Sequence, residues 1–501
     1  MKFPLTSRFL TTVLPLLVAS ILCLGQDSVM ATEPVIQPLS IAKFLADPER
    51  PVVYAINQNA KETGQVLEIN PLTRQIVRVV NVGKEPSDLD LTESGDQLVV
   101  VNTTEPSLSR IDLSTFTVTE TIPLSQFSNG NDDVGGHVKC GKGSIVYYVD
   151  EQWGPRLRVF DTATRSVFQT FSSQNGSSPN TSNNNGYGDI GLTPDRSRLF
   201  GWRQYGPATG STSTHLVRFS VNADGTLSNF VQSSVYDSTI YNREPDTPIL
   251  FSRDGSRMVI KERVVDQSDL NTHPVIYPDE IHSISPGGEI AIGSSAIYAG
   301  GSGEILHTLA ATSSVQAVLP DYSALVYFNK STKTIAWLNL VSTLGANRLG
   351  LEIKPSNGAT VVQPAELKWL PTTGITRYQV YLGTSRSEVE AATVSSPLYQ
   401  GEANAIRMAL STPLTLGQTY YWRAAPINSA GQPAGPGTLY SFTVSRLALS
   451  RSSIEAETVQ GVTQHLESIA LESTTPQAWT ATKNVSWIRS VTAGGDRKSV
   501  V

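Results

Sequence analysis

The sequence contains almost no cysteine and little charge. Its cysteines are Cys23 and Cys140, and Asp, Glu, Lys and Arg together make up 16% of the residues. Because Cys23 lies in an apolar N-terminal segment, one cysteine is left for the rest of the chain, which excludes an internal disulfide there. Strand pairing and the burial of apolar side chains must therefore stabilise the fold. We interpret Cys140 as a small buried apolar residue rather than a reactive thiol.

Catalytic motifs are also missing. The sequence has no G-x-S-x-G, no C-x-x-C-H and no glycine-rich phosphate loop, which excludes covalently attached haem and gives no sign of a serine nucleophile. We interpret "GGSG" at 300–303 as a turn. A metal site would require distant histidines to converge, so we predict no metal, no cofactor and no catalytic residue. The histidines are His137, His215, His273, His282, His307 and His465.

The N-terminal segment 1–31 has the layout of a secretory signal peptide. Lys2 and Arg8 precede an apolar run from Phe9 to Leu24, and small residues permit cleavage after Ala31. We therefore expect a secreted, periplasmic or cell-surface protein without a transmembrane span once the signal is removed; a retained membrane anchor is the alternative. The net charge of −6 offers no clustered positive charge for phosphate, so we predict no nucleic-acid partner.

The rest of the chain is predicted to be all-β. Its 38 glycines and 29 prolines favour short strands joined by turns over long helices. A turn followed by a short apolar strand recurs along the chain, and this recurrence predicts roughly seven sheets of a β-propeller over 49–345, after a linker at 32–48. The recurring segments are 49–58, 94–102, 141–150, 194–204, 253–263, 286–294 and 320–330.

Several of these segments lead into a predicted hairpin, namely 67–80, 111–122, 159–171, 217–230 and 297–309. The segment "TESGDQLVVVNTTEPSLSRIDLSTFTVTETIPLS" and the later "FDTATRSVFQTF" resemble the repeats of the bacterial YVTN-type propeller family, which is related in shape to WD-type repeats. The resemblance covers about 50–171 and implies a propeller of four-stranded sheets.

The segment 350–445 resembles a fibronectin type III domain, an immunoglobulin-like sandwich. The motifs "AELKWLPTTGITRYQVYLGTS" and "YYWRAAPINSAG" carry the resemblance, which implies that Trp369, Tyr378, Tyr381 and Phe442 are core residues. Strand alternation places Tyr378 and Tyr381 on opposite faces of their strand.

The C-terminal segment 446–495 resembles the start of the BACON family of bacterial sandwiches, on the basis of Trp479 and the "WI" at Trp487. The final "DRKSVV" at 496–501 matches a translated sequencing adapter, so we expect the gene to continue beyond 495.

Acidic pairs offer no convincing catalytic site by sequence. Asp88 and Asp90 share one strand face, but we interpret them, like Asp132 and Asp133, as solvated turn and strand-edge residues. "NADGT" at 222–226 is interpreted as a hairpin turn rather than a calcium loop. The remaining ligand-binding candidates are aromatic residues in or beside insertion loops, where a ring could stack on a sugar unless the loop folds it inward. They are Trp153, Tyr187, Trp202 and Tyr205.

We therefore expect an exported multidomain binding protein that presents a propeller to a polysaccharide or protein ligand on sandwich spacers. Two alternatives remain. A lactonase-like or glycan-cleaving propeller hydrolase would place carboxylates, or histidine with carboxylates, at one mouth of the channel. A passive segment of a larger surface protein would show no convergent polar groups. The sequence leaves the oligomeric state open.

Overall fold

The computed structural model describes most of the chain between 33 and 449. The described residues are 33–58, 63–124, 134–150, 156–171, 187–205, 213–234, 248–309, 313–349, 351–364, 366–428, 431–445, 447–449 and 471–473. All of them belong to one compact unit, Glu33–Val501. The predicted signal peptide, Trp153 and most of 446–501 lie outside the described residues.

Within the described residues of 41–339, seven antiparallel sheets follow one another, six with four strands and the last with three. The first three sheets contain β1 (Ile41–Ala46), β2 (Val53–Asn57), β3 (Gly64–Asn70) and β4 (Gln75–Val82); β5 (Pro86–Leu91), β6 (Gln97–Asn102), β7 (Ser107–Asp112) and β8 (Thr117–Pro123); and β9 (Val134–Cys140), β10 (Ile145–Asp150), β11 (Leu157–Asp161) and β12 (Ser166–Phe171).

The fourth to seventh sheets repeat this order of strands. They contain β13 (Tyr187–Leu192), β14 (Arg198–Tyr205), β15 (Ser213–Val221) and β16 (Leu227–Gln232); β17 (Ile249–Phe251), β18 (Met258–Ile260), β19 (Arg263–Val265) and β20 (Val275–Ile276); β21 (Ile281–Ile284), β22 (Ile290–Gly293), β23 (Ala296–Ala299) and β24 (Ile305–Thr308); and β25 (Gln316–Val318), β26 (Ala324–Asn329) and β27 (Thr334–Asn339).

The first strand of each sheet contacts the first strand of the next, and β25 contacts β1, so that these strands form a closed circle. We call β1, β5, β9, β13, β17, β21 and β25 the inner ring, and the space that it encloses the channel. Four-stranded antiparallel sheets arranged around such an axis define a propeller-like, all-β architecture.

The apolar core lies between neighbouring sheets. On β6, Leu98 and Val100 pack towards the first sheet, whereas Val99 and Val101 pack towards the third sheet. Because successive side chains of a strand point to opposite faces, a continuous apolar run such as "LVVV" fills two inter-sheet layers at once. This explains why a second strand such as β6 carries a continuous apolar run, whereas the outermost strand β8, TVTETIP, alternates.

The strands predicted from the recurring segments are present. Each of those segments covers the second strand of one sheet, from β2 in 49–58 to β26 in 320–330, although β14 extends one residue beyond 194–204. The predicted hairpins are present as β3–β4, β7–β8, β11–β12, β15–β16 and β23–β24. The "NADGT" and "GGSG" segments are the turns of two of these hairpins, as expected, and Gly225 and Gly303 have φ angles of 82° and 74°.

The segment after β27 forms a second group of strands, which we call the C-terminal part (351–445). Its five-stranded sheet has the order β28-β34-β33-β30-β31, and a two-stranded sheet pairs β29 with β32. Its elements, with the helix that precedes it and the short pair that follows, are α1 (Leu340–Arg348), β28 (Ala359–Val361), β29 (Glu366–Lys368), β30 (Arg377–Gly383), α2 (Arg386–Ala391), β31 (Tyr399–Ala403), β32 (Arg407–Ala409), β33 (Thr419–Ile427), β34 (Leu439–Val444), β35 (Leu447–Leu449) and β36 (Leu471–Ser473).

The predicted core residues of the C-terminal part are buried. Trp369, Tyr378, Tyr381 and Phe442 all have low exposure. Tyr378 packs in the main cluster beside Trp369, with ring centroids 5.4 Å apart, whereas Tyr381 packs on the other side of β30 against Val389 of α2. The predicted alternation along this strand is therefore confirmed. Among the described residues, no helix is long and apolar enough to cross a membrane.

Candidate functional site

Four neighbouring strands of the inner ring carry charged side chains that face one another. Lys43 lies on β1, Asp88 on β5, His137 on β9 and Asp189 on β13. By contrast, β17, β21 and β25 contain no Asp, Glu, Lys or Arg, so the charge is confined to one side of the ring. We call the following residues the charged cluster: Lys43, Asp88, Asp90, His137, Lys139 and Asp189.

Asp88 is the centre of the charged cluster. Its side chain is 2% exposed, and its Oδ1 accepts a hydrogen bond from Nζ of Lys43. Its Oδ2 lies 3.0 Å from Nζ of Lys139 and accepts the backbone N–H of Val138, also at 3.0 Å. One buried carboxylate thus orients two ammonium groups and accepts a hydrogen bond from a backbone N–H of the neighbouring sheet. That N–H would destabilise the fold if it were buried without a partner.

His137 and Asp189 form the second ion pair of the charged cluster. The Nδ1 atom of His137 lies 3.0 Å from Oδ1 of Asp189 on the next strand of the inner ring. The same carboxylate oxygen accepts the backbone N–H of Ile190 at 2.7 Å. A carboxylate that holds one imidazole nitrogen fixes the orientation of the ring and stabilises its protonated form.

Asp90 lies near the end of β5, at the side of the charged cluster next to the turns that follow the first strands. Its Oδ2 accepts the backbone N–H of Cys140 at 2.8 Å. The guanidinium of Arg196 donates to the carbonyl oxygens of Cys140 and Leu91, at 3.2 Å and 3.3 Å. Cys140 is buried, as predicted, and burial together with the charge of Asp90 raises the pKa of its thiol well above the ordinary value. A protonated, buried thiol is a poor nucleophile.

The charges within the cluster shift one another's titration. Burial opposes ionisation of Asp88, but Lys139 and Lys43 outweigh it and hold its pKa below the usual range. Burial likewise opposes the charge of Lys139, yet Asp88 and Asp90 raise its pKa. Burial raises the pKa of Asp90 despite the nearby Lys139. Perturbed groups gathered at one site are typical of binding and catalytic sites, although structural ion pairs also produce them.

The pairing of His137 with Asp189 raises the pKa of the histidine and lowers the pKa of the aspartate. Burial would lower the pKa of His137, but the carboxylates of Asp189 and Asp88 outweigh burial and raise it. Burial would raise the pKa of Asp189, but His137 outweighs burial and lowers it. Each group therefore favours the charged form of the other.

Three cationic side chains of the charged cluster remain partly accessible. Lys43 is 34% exposed, Lys139 16% and His137 15%. Asp88, which holds both lysines, is covered by them and cannot contact a ligand. The arrangement therefore presents two ammonium groups and an imidazole over a buried counterion, which can bind a negatively charged group.

The interpretation of Asp88 and Asp90 as solvated strand-edge residues was wrong. Both carboxylates accept backbone N–H groups from the neighbouring sheet, at Val138 and Cys140. The alternation of side chains along a strand does place both carboxylates on one face of β5, and this could be read from the sequence. What alternation could not supply is that Lys43, Lys139 and His137 lie opposite that face, because the inner ring closes only in the tertiary structure.

Of the four aromatic candidates, the structure describes the side chain of Trp202 alone. Trp153 lies outside the described residues; Tyr187 begins β13 and Tyr205 ends β14, and the structure does not describe their side chains. Trp202 is 7% exposed and packs between the fourth and fifth sheets with Phe200, Leu216 and Met258. Trp202 is therefore a core residue, because its position on β14 points into an inter-sheet layer rather than into a loop.

No metal centre emerges within the part of the chain that the structure describes, where no group of three or more His, Cys, Asp and Glu side chains could hold an ion. Asp224 of the "NADGT" segment accepts hydrogen bonds from Thr226, as expected for a polar turn. The charged cluster is consequently the best-defined polar site of the described residues.

Together, the inner ring and the charged cluster define an all-β protein of propeller-like architecture with an ionic site on its channel wall. No protein-family model and no curated protein matches this sequence. Among solved structures, the chain is similar to hydrazine synthase from Kuenenia stuttgartiensis, with 13% identity and a TM-score of 0.42, over 62% of this chain and 98% of that one.

The chain is also similar to the WD40 repeats of RRP9, with 10% identity and a TM-score of 0.39, over 59% of this chain and 88% of that one. Both likenesses are distant, and neither carries an argument about function. The propeller-like architecture follows from the sheets themselves and from the closed inner ring.

Proposed function

We propose that this protein is an exported binding protein whose charged cluster holds a carboxylate group of an acidic polysaccharide. The observation that carries the proposal is that two ammonium groups, Lys43 and Lys139, contact the buried carboxylate of Asp88 while their side chains stay 34% and 16% exposed. An ammonium that stays partly accessible attracts an anion, and the buried carboxylate beside it fixes it in place before the ligand arrives.

We further infer that the seven sheets are the blades of one propeller and that the C-terminal part is a fibronectin type III-like sandwich. The closed inner ring and the strand order β28-β34-β33-β30-β31 support these two assignments. The YVTN-type repeats and the BACON-like segment stay predictions from sequence, as do the signal peptide and export.

The distribution of apolar surface favours a polysaccharide over a protein partner. Among the described residues of the seven sheets, the exposed large apolar side chains lie on the fourth strands or on the turns that lead to them, as with Leu72, Val77, Phe168, Phe230 and Ile276. They are thus at the outer rim, away from the charged cluster. Protein interfaces have an apolar centre and a polar rim, which is the opposite distribution.

The experiment compares an oligomer of galacturonic acid with its methyl ester by titration calorimetry. The two ligands have the same shape, but the ester lacks the negative charge. We expect binding of the acid and at least about tenfold weaker binding of the ester, since a charge-assisted hydrogen bond contributes about 1.5–3 kcal/mol. A decamer of glutamate tests the protein alternative: binding of this peptide without the oligosaccharide would overturn the proposal.

Two variants connect this binding to the charged cluster. Lys139→Met removes one of the two ammonium groups that contact Asp88. Lys43→Met removes the other, more exposed one and keeps the buried contact between Lys139 and Asp88, so it can be used if Lys139→Met fails to fold. Both variants should lose the preference for the acid over the ester. Lys84→Met is the matched control, because Lys84 pairs with Glu105 at 2.8 Å on the surface and should bind as the unchanged chain does.

A hydrolase is the second candidate, and the His137–Asp189 pair is the observation that favours it. An imidazole oriented by a carboxylate through Nδ1 can act as a general base or acid at its other nitrogen. Release of reducing ends from polygalacturonate, or ring opening of an acyl lactone, tests this candidate. Activity that His137→Gln abolishes while ligand binding persists would establish the hydrolase in place of the binding protein.

A further inference from the structure

His137 and Lys139 lie on the same face of β9. They are two residues apart in the strand, and successive side chains of a strand point to opposite faces. Val138 and Cys140, which alternate with them, pack in the apolar layer between the second and third sheets. The imidazole of His137 and the ammonium of Lys139 therefore both point away from that layer, into the charged cluster.

Charged groups from the neighbouring strands of the inner ring act on His137. Asp189 on β13 contacts its Nδ1 atom at 3.0 Å, and Asp88 on β5 and Lys139 on β9 add their charges. Lys43 on β1 reaches the same group through its hydrogen bond to Asp88. Burial and Lys139 oppose the protonated imidazole, but Asp189 and Asp88 outweigh them and raise the pKa of His137.

The charged cluster contains equal numbers of acidic and basic side chains. It has three aspartates, two lysines and one histidine, so its charges balance when all six groups are ionised. When His137 loses its proton, one negative charge is left in excess. In a partly buried site this excess is poorly screened by solvent and salt. The neutral imidazole therefore weakens the attraction of the cluster for an anion.

The other buried groups of the cluster respond differently to pH. Burial opposes the charge of Lys139, but Asp88 and Asp90 outweigh burial and raise its pKa, so Lys139 stays charged while His137 titrates. Burial raises the pKa of Asp90 despite the nearby Lys139. Ionisation of Asp90 as pH rises also adds negative charge, so an experiment must separate its effect from that of His137.

We infer that His137 makes ligand binding depend on pH: the charged cluster holds a carboxylate of an acidic sugar while the imidazole is protonated and releases it when the imidazole loses its proton. The inference rests on the proposed function for the identity of the ligand. Since the pKa of His137 is raised from its ordinary value of 6.5, release occurs above that pH. By linkage, the bound anion favours the protonated imidazole in return, so binding takes up protons.

Titration calorimetry of the full chain with an oligomer of galacturonic acid measures both effects. The carboxylates of this ligand stay ionised above about pH 6, so a change in affinity reports on the protein. We expect at least about tenfold weaker binding near pH 9 than near pH 6. Titrations at about pH 7.5 in HEPES and in Tris, which differ in ionisation enthalpy, should show that protons are taken up on binding.

Three variants assign these effects to one residue. His137→Gln keeps a polar side chain that cannot be protonated, and it should bind the oligomer with affinities that agree within about threefold near pH 6 and pH 9, without proton uptake. His307→Gln is the matched control, because His307 lies on β24 outside the charged cluster; it should keep the full pH dependence. Asp90→Asn should also keep it, which excludes Asp90 as the source even if His137→Gln fails to fold.

The outcomes separate the two proposals. If the acid binds better than its methyl ester but equally well near pH 6 and pH 9, or if His137→Gln keeps the full pH dependence, the role of His137 is overturned while the proposed function stands. Loss of the pH dependence in Asp90→Asn alone would likewise overturn it. If the acid binds no better than the ester at either pH, the proposed function fails and the inference about His137 falls with it.

Discussion

The Nδ1 atom of His137 lies 3.0 Å from Oδ1 of Asp189, although the two residues belong to first strands of different sheets. The pair ties the third sheet to the fourth within the inner ring. Other charged groups that act on His137 are Asp88 on β5 and Lys139 on its own strand. Since the net effect raises the pKa of His137 and lowers that of Asp189, the pair predicts a defined dependence of stability on pH.

The direction in which stability changes with pH follows from the protonation state of each residue that the folded protein favours. Protonated His137 stabilises the folded state fully below its unfolded-state pKa of about 6.5, and this contribution is lost as pH rises through the higher folded-state value. Ionised Asp189 stabilises the fold above its unfolded-state pKa of about 3.9, and this contribution is lost as pH falls through the lower folded-state value. The pair therefore stabilises most in the weakly acidic range.

We expect His137→Gln to destabilise the protein by about 1–3 kcal/mol near pH 6 and by much less near pH 9, because the lost bond is charge-assisted only at the lower pH. Urea denaturation of both proteins at the two pH values measures this difference. Comparison with the unchanged chain cancels other titrating groups, such as His282, whose pKa burial lowers. An equal loss at both pH values would contradict the assignment.

Asp88→Asn should be strongly destabilising. The substitution leaves Lys43 and Lys139 without their shared carboxylate, and breaking a buried ion pair from one side costs about 3–5 kcal/mol. The free energy of unfolding from urea denaturation measures this. Glu105→Gln, which breaks the surface pair with Lys84, is the matched control and should change stability by less than about 1 kcal/mol. Similar small effects at both positions would mean that the charged cluster is solvated.

Arg407→Met should loosen the C-terminal part from the ring. Loss of a bond to a charged group costs about 1.5–3 kcal/mol, which corresponds to roughly tenfold or faster cleavage by trypsin near α1 when opening limits the rate. Arg386→Met is the control, since Arg386 pairs only with Glu390 on the exposed face of α2 among its described ion pairs. Unchanged protection in Arg407→Met would contradict the inference that the bonds from Arg407 to Asp254 and to the carbonyl of Gly287 hold the C-terminal part on the ring.

Trp202→Ala should destabilise the ring rather than affect a ligand directly. Removing a large buried side chain costs about 3–5 kcal/mol, whereas Trp202→Phe keeps much of the volume and should cost less than about 1.5 kcal/mol. Thermal unfolding of both variants measures the effect. If Trp202→Phe lost ligand binding while it retained full stability, the original interpretation of Trp202 as a stacking residue would be correct.

Much of the fold could be predicted from the sequence because its signals are local. The turn residues and apolar strands of the repeats act within one hairpin, as in "GDQLVVVN", where β6 was expected and is present. Trp369 and Tyr378 were expected in a core for the same reason. Of the predicted site, Trp202 alone can be compared with the structure, and it is buried, since its surroundings depend on how two sheets pack.

The sequence by itself determined that this chain is all-β, that its strands recur, and that Cys140 is a buried residue, because strand alternation and turn chemistry act over a few neighbouring residues. Only the tertiary structure decided that Lys43, Asp88, His137 and Asp189 meet. Each stands on a different sheet, and their distances are set by closure of the inner ring. A charge such as that of Asp88 could be assigned a role only once its partners from two other sheets were in place.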